Sequence, residues 1–393
     1  MRNPDVIVIG AGVIGTSVAY YLTERNCKVL LIDRGDAAVG TSSHCDAAAM
    51  LTDKQPGADA ALGFSSIGHF VELSKNLSMD FEFAQSGSLY ICETDFEFAF
   101  ATDYVNSLRA EGYPVHMVDT KELAEREPYL TKDLTGGFWS DVCSQMNPYR
   151  LCFALIEEAK KKGLETAFYS PVLSMKREGE DYVVSTPAKE YRSKLIVNCA
   201  GIWAPHIGHM LGLSIPISPR KGVILLTEKT FPLCHQKVQE YGYLVTKFHP
   251  EMERHLDPLI EDNNVSFTIE PTNDDNFLIG SSRNFVGYDN SVEPEIAQGI
   301  AKRALRFFPV LKDINCIRAY AGLRPFVPDH LPIISPVDNL PGYYIAAGHE
   351  GDGISMAPIT GILISQMINN EKPDLPLEPF SFSRFTNGQT GHA

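Results

Sequence analysis

The stretch Val6–Asp33 reads VIVIGAGVIGTSVAYYLTERNCKVLLID and decides the fold of the chain. It begins with four β-favouring residues, and glycines follow them in the spacing G-x-G-x-x-G at Gly10, Gly12 and Gly15. A helical pattern comes next, and a second run of strand formers, Val29–Ile32, leads to an aspartate. This order predicts the first strand–helix–strand unit of a Rossmann-like α/β domain.

Each part of this unit has a physical role in binding an adenine dinucleotide. Gly10 permits a tight turn, Gly12 lets a pyrophosphate approach the backbone, and Gly15 lets the helix pack close to the strand. The helix N-terminus offers free N–H groups and a positive dipole end to the phosphates. Asp33 can accept hydrogen bonds from a ribose, and it would repel a 2′-phosphate. The alternative is a glycine-rich turn that binds no ligand, but the two strands, the helix and the acid together favour the dinucleotide.

The overall composition limits the class of protein. A chain of 393 residues is long for one domain, so we expect two, built from interleaved segments. The net charge of -15 argues against binding to nucleic acid. No apolar run is long enough to span a bilayer, and the glycine motif so near the start leaves no room for a signal peptide. We therefore expect a cytoplasmic protein with no membrane span.

Metal centres are not indicated by the sequence. The chain has 8 cysteines but no C-x-x-C pair, which argues against a zinc site, an iron–sulfur site or a disulfide scaffold. His206 and His209 lie three residues apart without a cysteine or carboxylate partner in view. We interpret them as residues on a helix face and expect no metal ligand.

Two further segments repeat the strand–turn–helix pattern of the N-terminus. A strand at Leu195–Asn198 leads to Ala200 and Gly201, which predicts a second close approach of the backbone to the dinucleotide. Near the end, a strand at Tyr343–Ala347 leads to a turn with three glycines and then to an apolar helix, Ile354–Ile368. A core helix with a glycine turn would explain the last pattern equally well.

The intervening region predicts a second sheet. Residues 215–284 contain four strand-like runs, GVILLTE, YGYLVTKF, VSFTIEPT and NFLIGSSR. A helix is predicted at Pro294–Phe308. We assign this region to a substrate domain.

The motifs VIVIGAGVIG, IVNCAGIWA, GLRP and G-H-x-G-x-G occur in this order along the chain. Together they resemble the D-amino-acid oxidase-type FAD-dependent oxidoreductases, the family of glycine and sarcosine oxidases. More narrowly, CDAAAMLTDKQPG, NFLIGSSRNFVGYD and AGHEGDGISMAPITG are similar to the catalytic subunits of opine oxidases and of hydroxyproline or proline dehydrogenases, and to the related hydrogen cyanide synthase subunit. The chain departs from the family pattern after Asp46, where three alanines replace a glycine-rich run.

The resemblance implies a fold and a cofactor, FAD. We expect an α/β protein with a Rossmann-like FAD-binding domain made of residues 1–80, 145–215 and 320–380. An interleaved α+β substrate domain with an antiparallel sheet would comprise residues 81–144 and 216–319.

The resemblance also implies which residues bind FAD. Asp33 would hold the ribose, Arg34 would lie beside the adenine, and Val172 would contact the adenine through its backbone. The full set, which covers the glycine motif, the loop after the second strand, the mid-chain turn and the final glycine turn, is Gly10, Gly12, Ile14, Gly15, Asp33, Arg34, Thr41, Ser42, Ser43, Val172, Ala200, Gly201, Trp203, Gly348, Gly351, Asp352, Gly353 and Ile354.

Two residues are candidates for catalysis. By the resemblance Arg324, in GLRP, binds the substrate carboxylate, and its planar fork suits that group. The alternative for Arg324 is a structural ion pair with an internal Asp or Glu. His349 lies in the glycine turn and is open to three roles: tuning the flavin, contacting substrate, or capping the turn.

Four other residues are left open or disfavoured by the sequence. Some relatives attach flavin to a histidine in a segment like that of His44, but the neighbouring residues differ here and we do not expect covalent attachment. Tyr243, Phe267 and Glu270 belong to predicted strands, and periodicity cannot decide whether they face a ligand or the core.

The predicted reaction is oxidation of an amino or imino acid. A hydride would move from the carbon alpha to the nitrogen to flavin N5, and the N-terminus of the last helix would stabilise negative charge on the reduced flavin. A secondary amine such as proline, hydroxyproline or an opine is the favoured substrate, with a partner subunit carrying iron–sulfur or a second flavin as electron acceptor. The alternatives are a stand-alone glycine or sarcosine-type oxidase that produces hydrogen peroxide, and a non-catalytic flavin-binding subunit.

Overall fold

Two large sheets carry the fold in the computed structural model, which describes residues 3–249, 252 and 254–385. Its strands are β1 Val6–Ile9, β2 Val29–Ile32, β3 Ala48–Ala49, β4 Ser88–Cys92, β5 His116–Val118, β6 Gly136–Ser140, β7 Ser144–Gln145, β8 Glu165–Ala167, β9 Ser174–Glu178, β10 Asp181–Ser185, β11 Glu190–Ser193, β12 Leu195–Asn198, β13 Ser218–Thr227, β14 Lys237–Glu240, β15 Thr268–Pro271, β16 Phe277–Gly280, β17 Cys316–Phe326, β18 Ile333–Pro336 and β19 Tyr343–Ala347. Its helices are α1 Val13–Glu24, α2 Ala58–Asn76, α3 Asp95–Ala110, α4 Thr120–Arg126, α5 Pro148–Lys161, α6 Ala204–His209, α7 Gly242–Phe248, α8 Pro258–Glu261, α9 Pro294–Phe307 and α10 Gly353–Ile368.

The first sheet has the strand order β18-β19-β12-β1-β2-β8. The pairs from β19 to β8 are parallel, and β18 joins the edge antiparallel. All four residues of β1 are buried, as a continuous apolar run requires when a parallel sheet is covered on both faces. Helices α1, α5 and α10 pack with α2 in a core on one side. The small sheet β9–β11 adds residues such as Tyr182 to the core on the other side.

The glycines of the first turn allow helix α1 to approach the sheet. Gly10 has a positive φ of 106°, which favours glycine. A Cβ on Gly15 would lie 1.8 Å from the carbonyl oxygen of Gly10, so only glycine permits this helix–strand contact. The packing role predicted for Gly15 therefore agrees with the geometry of the turn.

The second sheet has the order β17-β13-β16-β15-β14-β4-β6-β5. We expected an antiparallel sheet, and most pairs are antiparallel, but β14 and β4 run parallel. β17 pairs with β13 along its whole length and so crosses residue 320, where a domain boundary was predicted. The strands of the first sheet all fall inside the ranges predicted for the FAD-binding domain. The division into two domains remains our proposal.

The run YGYLVTKF was predicted to be a strand, and this prediction was wrong. Gly242–Phe248 forms helix α7, directly after β14. A short apolar run is compatible with either a buried strand or a buried helix, and periodicity does not separate them. Most of α7 is buried, including the charged Lys247, which the strand assignment gave no reason to expect.

The second sheet has one face on α9 and the other toward the first sheet. Phe267 and Ile269 of the first face pack in a core with Ile300 and Phe307 of α9. The ring of Phe267 lies 4.9 Å from that of Phe307, so Phe267 is a core residue. Because strand residues alternate, Thr268 and Glu270 point to the opposite face. Within the described residues, no helix is long and apolar enough to cross a membrane.

Candidate cofactor and substrate site

A cavity of about 620 Å³ lies between the two sheets. Its walls come from the ends of β1, β2, β12 and β19, from the loop 39–46, and from the inner face of the second sheet. In parallel sheets ligands bind at the carboxyl ends of the strands, and this cavity has that position. Its volume lies within the range usual for cofactor sites.

The N-terminus of α1 forms one end of this cavity. Gly10, Gly12 and Ile14 line it, and Gly12 is the residue that caps the helix. The Val13 N–H donates to Ser42 Oγ at 3.0 Å, which holds the loop 41–43 against the first turn of the helix. A Cβ on Gly12 would lie 3.2 Å from that oxygen, so a side chain here would crowd the space in front of the helix.

Asp33 lies at the end of β2 and lines the cavity. Its carboxylate accepts hydrogen bonds from the N–H groups of Ala11, at 2.7 Å, and Gly35, at 2.8 Å. These two bonds fix the orientation of the carboxylate while leaving further acceptor positions on both oxygens. The arrangement suits the ribose-binding role predicted for Asp33.

Arg34, Trp203 and Tyr288 form a stack beside Asp33. The guanidinium carbon of Arg34 lies 4.1 Å from the ring centroid of Trp203, and the ring of Tyr288 stacks on the same indole at 4.4 Å. All three residues line the cavity, together with Val172, Ala200 and Gly201. Tyr288 was not predicted, because it lies in a segment that we assigned to the second domain without a ligand role.

The glycine turn before α10 forms the opposite wall. Gly348 has a positive φ of 86°, and a Cβ there would lie 2.4 Å from Cγ2 of Val327. Gly351, Gly353 and Ile354 line the cavity, so the N-terminal turn of α10 is exposed to it. This is the position from which a helix dipole can act on an anionic ligand.

His349 lines the cavity but is only 3% exposed. Its Nε2 lies 3.0 Å from the hydroxyl of Thr360, two turns inside α10. Burial lowers the pKa of His349 to about 3, although the nearby Asp352 opposes the shift. The imidazole is therefore neutral at physiological pH and is bonded to the helix that borders the cavity.

Arg324 lies on β17 with its side chain over Gly222 of the neighbouring strand. Its Nη1 donates to the carbonyl oxygen of Ser282 at 2.9 Å and lies 3.5 Å from that of Lys221. Among the described residues, no carboxylate lies within ion-pair distance of Arg324, so the predicted alternative of an internal ion pair is not seen there. The guanidinium lines the cavity and is available to an anion.

Three predicted site residues do not line the cavity. Gly15 faces Gly10 and serves the packing of α1. Ser43 is exposed, and its hydroxyl bonds to Gly40 O at 3.2 Å and to His44 Nδ1 at 3.0 Å. Asp352 points away from the cavity, because both of its carboxylate oxygens accept hydrogen bonds from buried lysines.

Two of the residues left open by the sequence lie near the cavity. Tyr243 lines it, whereas Glu270 lies behind the lining residue Asp46. The buried Lys237 pairs with Asp46 and lies 3.3 Å from Glu270. Burial raises the pKa of Glu270 to about 7, with Lys237 opposing the shift and Asp46 adding to it.

The residues of this cavity fit an adenine dinucleotide. Glycine backbone and a helix N-terminus stand where phosphates would lie, and an oriented carboxylate and an aromatic stack stand beside them. The segments that meet here are spread along the chain from Ile9 to Ile354. The described residues contain no group of three or more His, Cys, Asp or Glu arranged to hold a metal ion.

Comparisons with known proteins agree with this geometry. Residues 5–367 match the DAO family, described as FAD dependent oxidoreductase. The chain is similar to the hydrogen cyanide synthase subunit HcnC of Pseudomonas aeruginosa, with 29% identity over 98% of this chain and 97% of that protein. It is similar to glycine oxidase of Bacillus subtilis, with 28% identity over 94% of each chain. The structure of L-proline dehydrogenase from P. horikoshii superimposes with a TM-score of 0.88 at 23% identity, covering 98% of this chain and 99% of that one, which shows a shared fold.

Proposed function

The chain belongs to the DAO family of FAD-dependent oxidoreductases, and on this premise we propose that it oxidises a secondary amino acid at the carbon next to the nitrogen. Proline, hydroxyproline and opine-like amines are the favoured substrates. Family membership confirms the predicted cofactor, and the shared fold confirms the predicted mixed α/β architecture.

One observation carries the substrate proposal. Arg324 extends into the cavity with only carbonyl oxygens as hydrogen-bond acceptors among the described residues, and it lies close to the glycine turn that precedes α10. A buried or half-buried guanidinium is stabilised when it meets an anion, and a carboxylate accepts two of its N–H groups at once. An amino or imino acid supplies that carboxylate next to the carbon that is oxidised.

FAD, when bound, supplies the acceptor for a hydride from the carbon alpha to the substrate nitrogen. The chain's own residues bind and orient the reactants. Arg324 fixes the carboxylate and so limits the positions of the adjacent carbon, and the N-terminal turn of α10 offers N–H groups to negative charge. His349 stays neutral and bonded to Thr360, so it adds no positive charge to this wall.

The glycine-rich wall would hold the cofactor. Gly10, Gly12 and Ser42 line the cavity and would contact the pyrophosphate, and Asp33 would bind the ribose. Arg34 and Trp203 would lie next to the adenine. These assignments follow the motif order and remain proposals for each residue.

We also propose that a partner protein receives the electrons. The similarity to HcnC supports this proposal, because that protein is by name a subunit of a synthase. A stand-alone oxidase that passes electrons to oxygen is the alternative, and the similarity to glycine oxidase favours it.

The test is an anaerobic titration of the FAD-loaded protein with amino acids, imino acids and opines. Reduction of the flavin is monitored as the loss of its absorbance at about 450 nm. We expect a secondary amino acid to bleach the flavin. The same compound with a carboxamide in place of its carboxylate should leave the flavin oxidised. Admission of air then distinguishes the two acceptors, since rapid recolouring indicates an oxidase and slow recolouring a partner-dependent dehydrogenase. If dithionite reduces the flavin but no amine does, the proposed function is wrong.

A further inference from the structure

The cavity opens to solvent where some of its lining side chains are also exposed. Val39, Leu173 and Tyr288 line the cavity and are 48%, 60% and 49% exposed. Val39 follows β2 and Leu173 follows β8, two strands of the first sheet, whereas Tyr288 follows β16 of the second sheet. Because Leu173 is next to Val172, this opening lies beside the position proposed for the adenine.

Residues 284–291 carry Tyr288 to this opening, and we call this segment the strap. The ring of Tyr288 stacks on the indole of Trp203, with centroids 4.4 Å apart and planes 24° apart. Its hydroxyl donates to the carbonyl oxygen of Ile202 at 3.3 Å. The strap therefore joins the second sheet to the turn that follows β12.

The other end of the strap contacts the substrate wall. Phe285 packs edge-on against Phe326, two residues beyond Arg324, with ring centroids 5.0 Å apart. Gly287, between the two aromatic contacts, has a positive φ of 66°, which lets the chain turn there. The strap thus runs from the wall that carries Arg324 to the wall that carries Trp203.

Lys221 holds both ends of the strap. Its backbone N–H donates to the carbonyl oxygen of Asn284 at 2.8 Å, and the N–H of Asn284 donates back at 3.1 Å. Its Nζ donates to the carbonyl oxygen of Ser291 at 3.1 Å and to the carboxylate of Glu293 at 2.5 Å. The lysine side chain is fully buried. A buried ammonium is costly unless it is paired, so these contacts fix the lysine and the strap together.

The middle of the strap is weakly packed. Residues 285–291 are all exposed, in contrast to the buried β16 that precedes them. Segments with few buried apolar contacts open locally at a lower free energy than the core. The strap can therefore open and close while Lys221 keeps its two ends in place.

We propose that the strap retains FAD by closing the cavity at the adenine end. Tyr288 closes it, because its ring lies at the opening and holds Trp203 in the wall. Lys221 is a positioning residue that acts through Tyr288. The inference rests on the proposed position of the adenine and is independent of the substrate.

Titration of the apoprotein with FAD and with FMN tests the strap, because FMN lacks the adenylate half. Tyr288→Ala should weaken FAD binding about tenfold, as loss of an aromatic contact requires, and leave FMN binding within about twofold. Tyr288→Phe keeps the ring and should bind FAD within about threefold of the wild type. An unchanged FAD affinity in Tyr288→Ala, or equal weakening of FAD and FMN, would overturn the proposal.

Phe231→Ala is the matched control for Tyr288→Ala. Phe231 is also a partly exposed ring, and it packs against Tyr129 with centroids 5.4 Å apart, but it does not line the cavity. It should change neither affinity. If Phe231→Ala weakens FAD binding as much as Tyr288→Ala does, the loss reflects general destabilisation and the role of Tyr288 is wrong.

The rate of FAD release tests the positioning role of Lys221. The FAD-loaded protein is diluted far below its dissociation constant, and the fluorescence of the free flavin is followed. Lys221→Met removes the side-chain contact with Ser291 and should release FAD about tenfold faster. In the double variant with Tyr288→Ala it should add less than about twofold, because both changes act on the same strap. If the two effects multiply, Lys221 acts on the fold and not through Tyr288.

Glu293→Gln keeps this test available if Lys221→Met does not fold. It weakens the same contact at an acceptor that is itself partly exposed, and it should release FAD about threefold faster. Glu295→Gln, in the first turn of α9, should leave the rate unchanged. Release at the wild-type rate in Glu293→Gln would contradict the role of Lys221.

These outcomes are separable from that of the proposed function. FAD binding and release are measured without substrate, so a flavin that no amine reduces leaves them unaffected. Failure of the strap appears instead as unchanged FAD affinity in Tyr288→Ala, in a protein whose flavin amines still reduce.

Discussion

Nζ of Lys54 lies 2.9 Å from Oδ1 of Asp352, and both side chains are buried, at 0% and 6% exposure. The other oxygen of Asp352 accepts a hydrogen bond from Lys247 at 2.9 Å. Burial alone would raise the pKa of Asp352, but the two lysines outweigh it and hold the pKa below its usual value. Three parts of the chain thus meet at one carboxylate: the segment after β3, helix α7 and the residue that precedes α10. This junction supports the glycine turn from behind the cavity.

Replacing Lys54 should therefore destabilise the protein without touching the cavity. Lys54→Met leaves the buried Asp352 with one cation, and loss of a partner in a buried ion pair costs about 3 kcal/mol or more. The free energy of unfolding of the FAD-loaded protein, measured in urea, should fall by this amount. Lys121→Met is the matched control, because Lys121 lies 3.9 Å from Glu125 on the surface and such pairs contribute less than about 1 kcal/mol. Equal effects of the two variants would contradict the role of the junction.

The glycines of the first turn should separate folding from cofactor binding. Gly15→Ala brings a Cβ to 1.8 Å from a backbone oxygen, which cannot move away, so the cost should be at least about 3 kcal/mol and FAD binding should be lost as well. Gly12→Ala meets only a side-chain oxygen, at 3.2 Å, so stability should change by less than about 1 kcal/mol. Its affinity for FAD should still fall by about tenfold or more, because the methyl group occupies the approach to the backbone.

Thermal unfolding of the apoprotein and titration with FAD measure the two effects. Gly68→Ala is the control, since a Cβ at this position in α2 meets no atom within 4 Å. It should leave FAD affinity unchanged. If Gly12→Ala and Gly15→Ala lower stability equally, the distinction between the two glycines is incorrect.

Local patterns predicted the first sheet better than the second. β1, β12 and β19 have the predicted bounds, because each is a short apolar run followed by a glycine or another small residue. Helix α7 was mistaken for a strand, since an apolar run of eight residues does not reveal which structure it adopts. A tertiary contact accompanies the helix there: the buried Lys247 of α7 donates a hydrogen bond to Asp352.

The candidate site also contains residues that the sequence predicted and contacts that it did not. Most of the site residues that motif order predicted line the cavity, including Asp33, Trp203 and Arg324. Partners distant in the chain were not predictable, such as Lys54 for Asp352, because a lysine in a polar segment carries no sign of burial.

Stability should fall as the pH rises because of Glu127. This residue is 1% exposed, and burial raises the pKa of its carboxyl to about 8 from a usual value of 4.5, with Arg126 opposing the shift. The folded protein then holds a proton that the unfolded chain has released, between these two pH values. The contribution of protonated Glu127 to the free energy of unfolding is complete below about pH 4.5. It is lost progressively as the pH rises toward 8.

The change Glu127→Gln removes this titration. The difference in Tm between pH 5 and pH 8 should be smaller in Glu127→Gln than in the wild type, at the same FAD saturation. Glu125→Gln, two residues earlier on exposed α4, should keep the wild-type difference. An unchanged pH dependence in Glu127→Gln would show that the carboxyl is ionised throughout.

Arg324 provides the most direct test of the substrate wall. Arg324→Gln removes a charge-assisted contact worth up to about 3 kcal/mol, so the concentration of amino acid that half-reduces the flavin should rise about 100-fold. Arg324→Lys keeps the charge but cannot bind a carboxylate with two parallel N–H groups, so the rise should be about tenfold. FAD affinity should stay within about threefold in both, because the guanidinium donates to the carbonyl oxygen of Ser282, on the side of the cavity that the second sheet forms. Arg318→Gln, on an exposed part of the same strand, controls for loss of charge in β17. If Arg324→Gln binds the amino acid as tightly as Arg318→Gln, then another group holds the carboxylate and the proposed orientation of the substrate is incorrect.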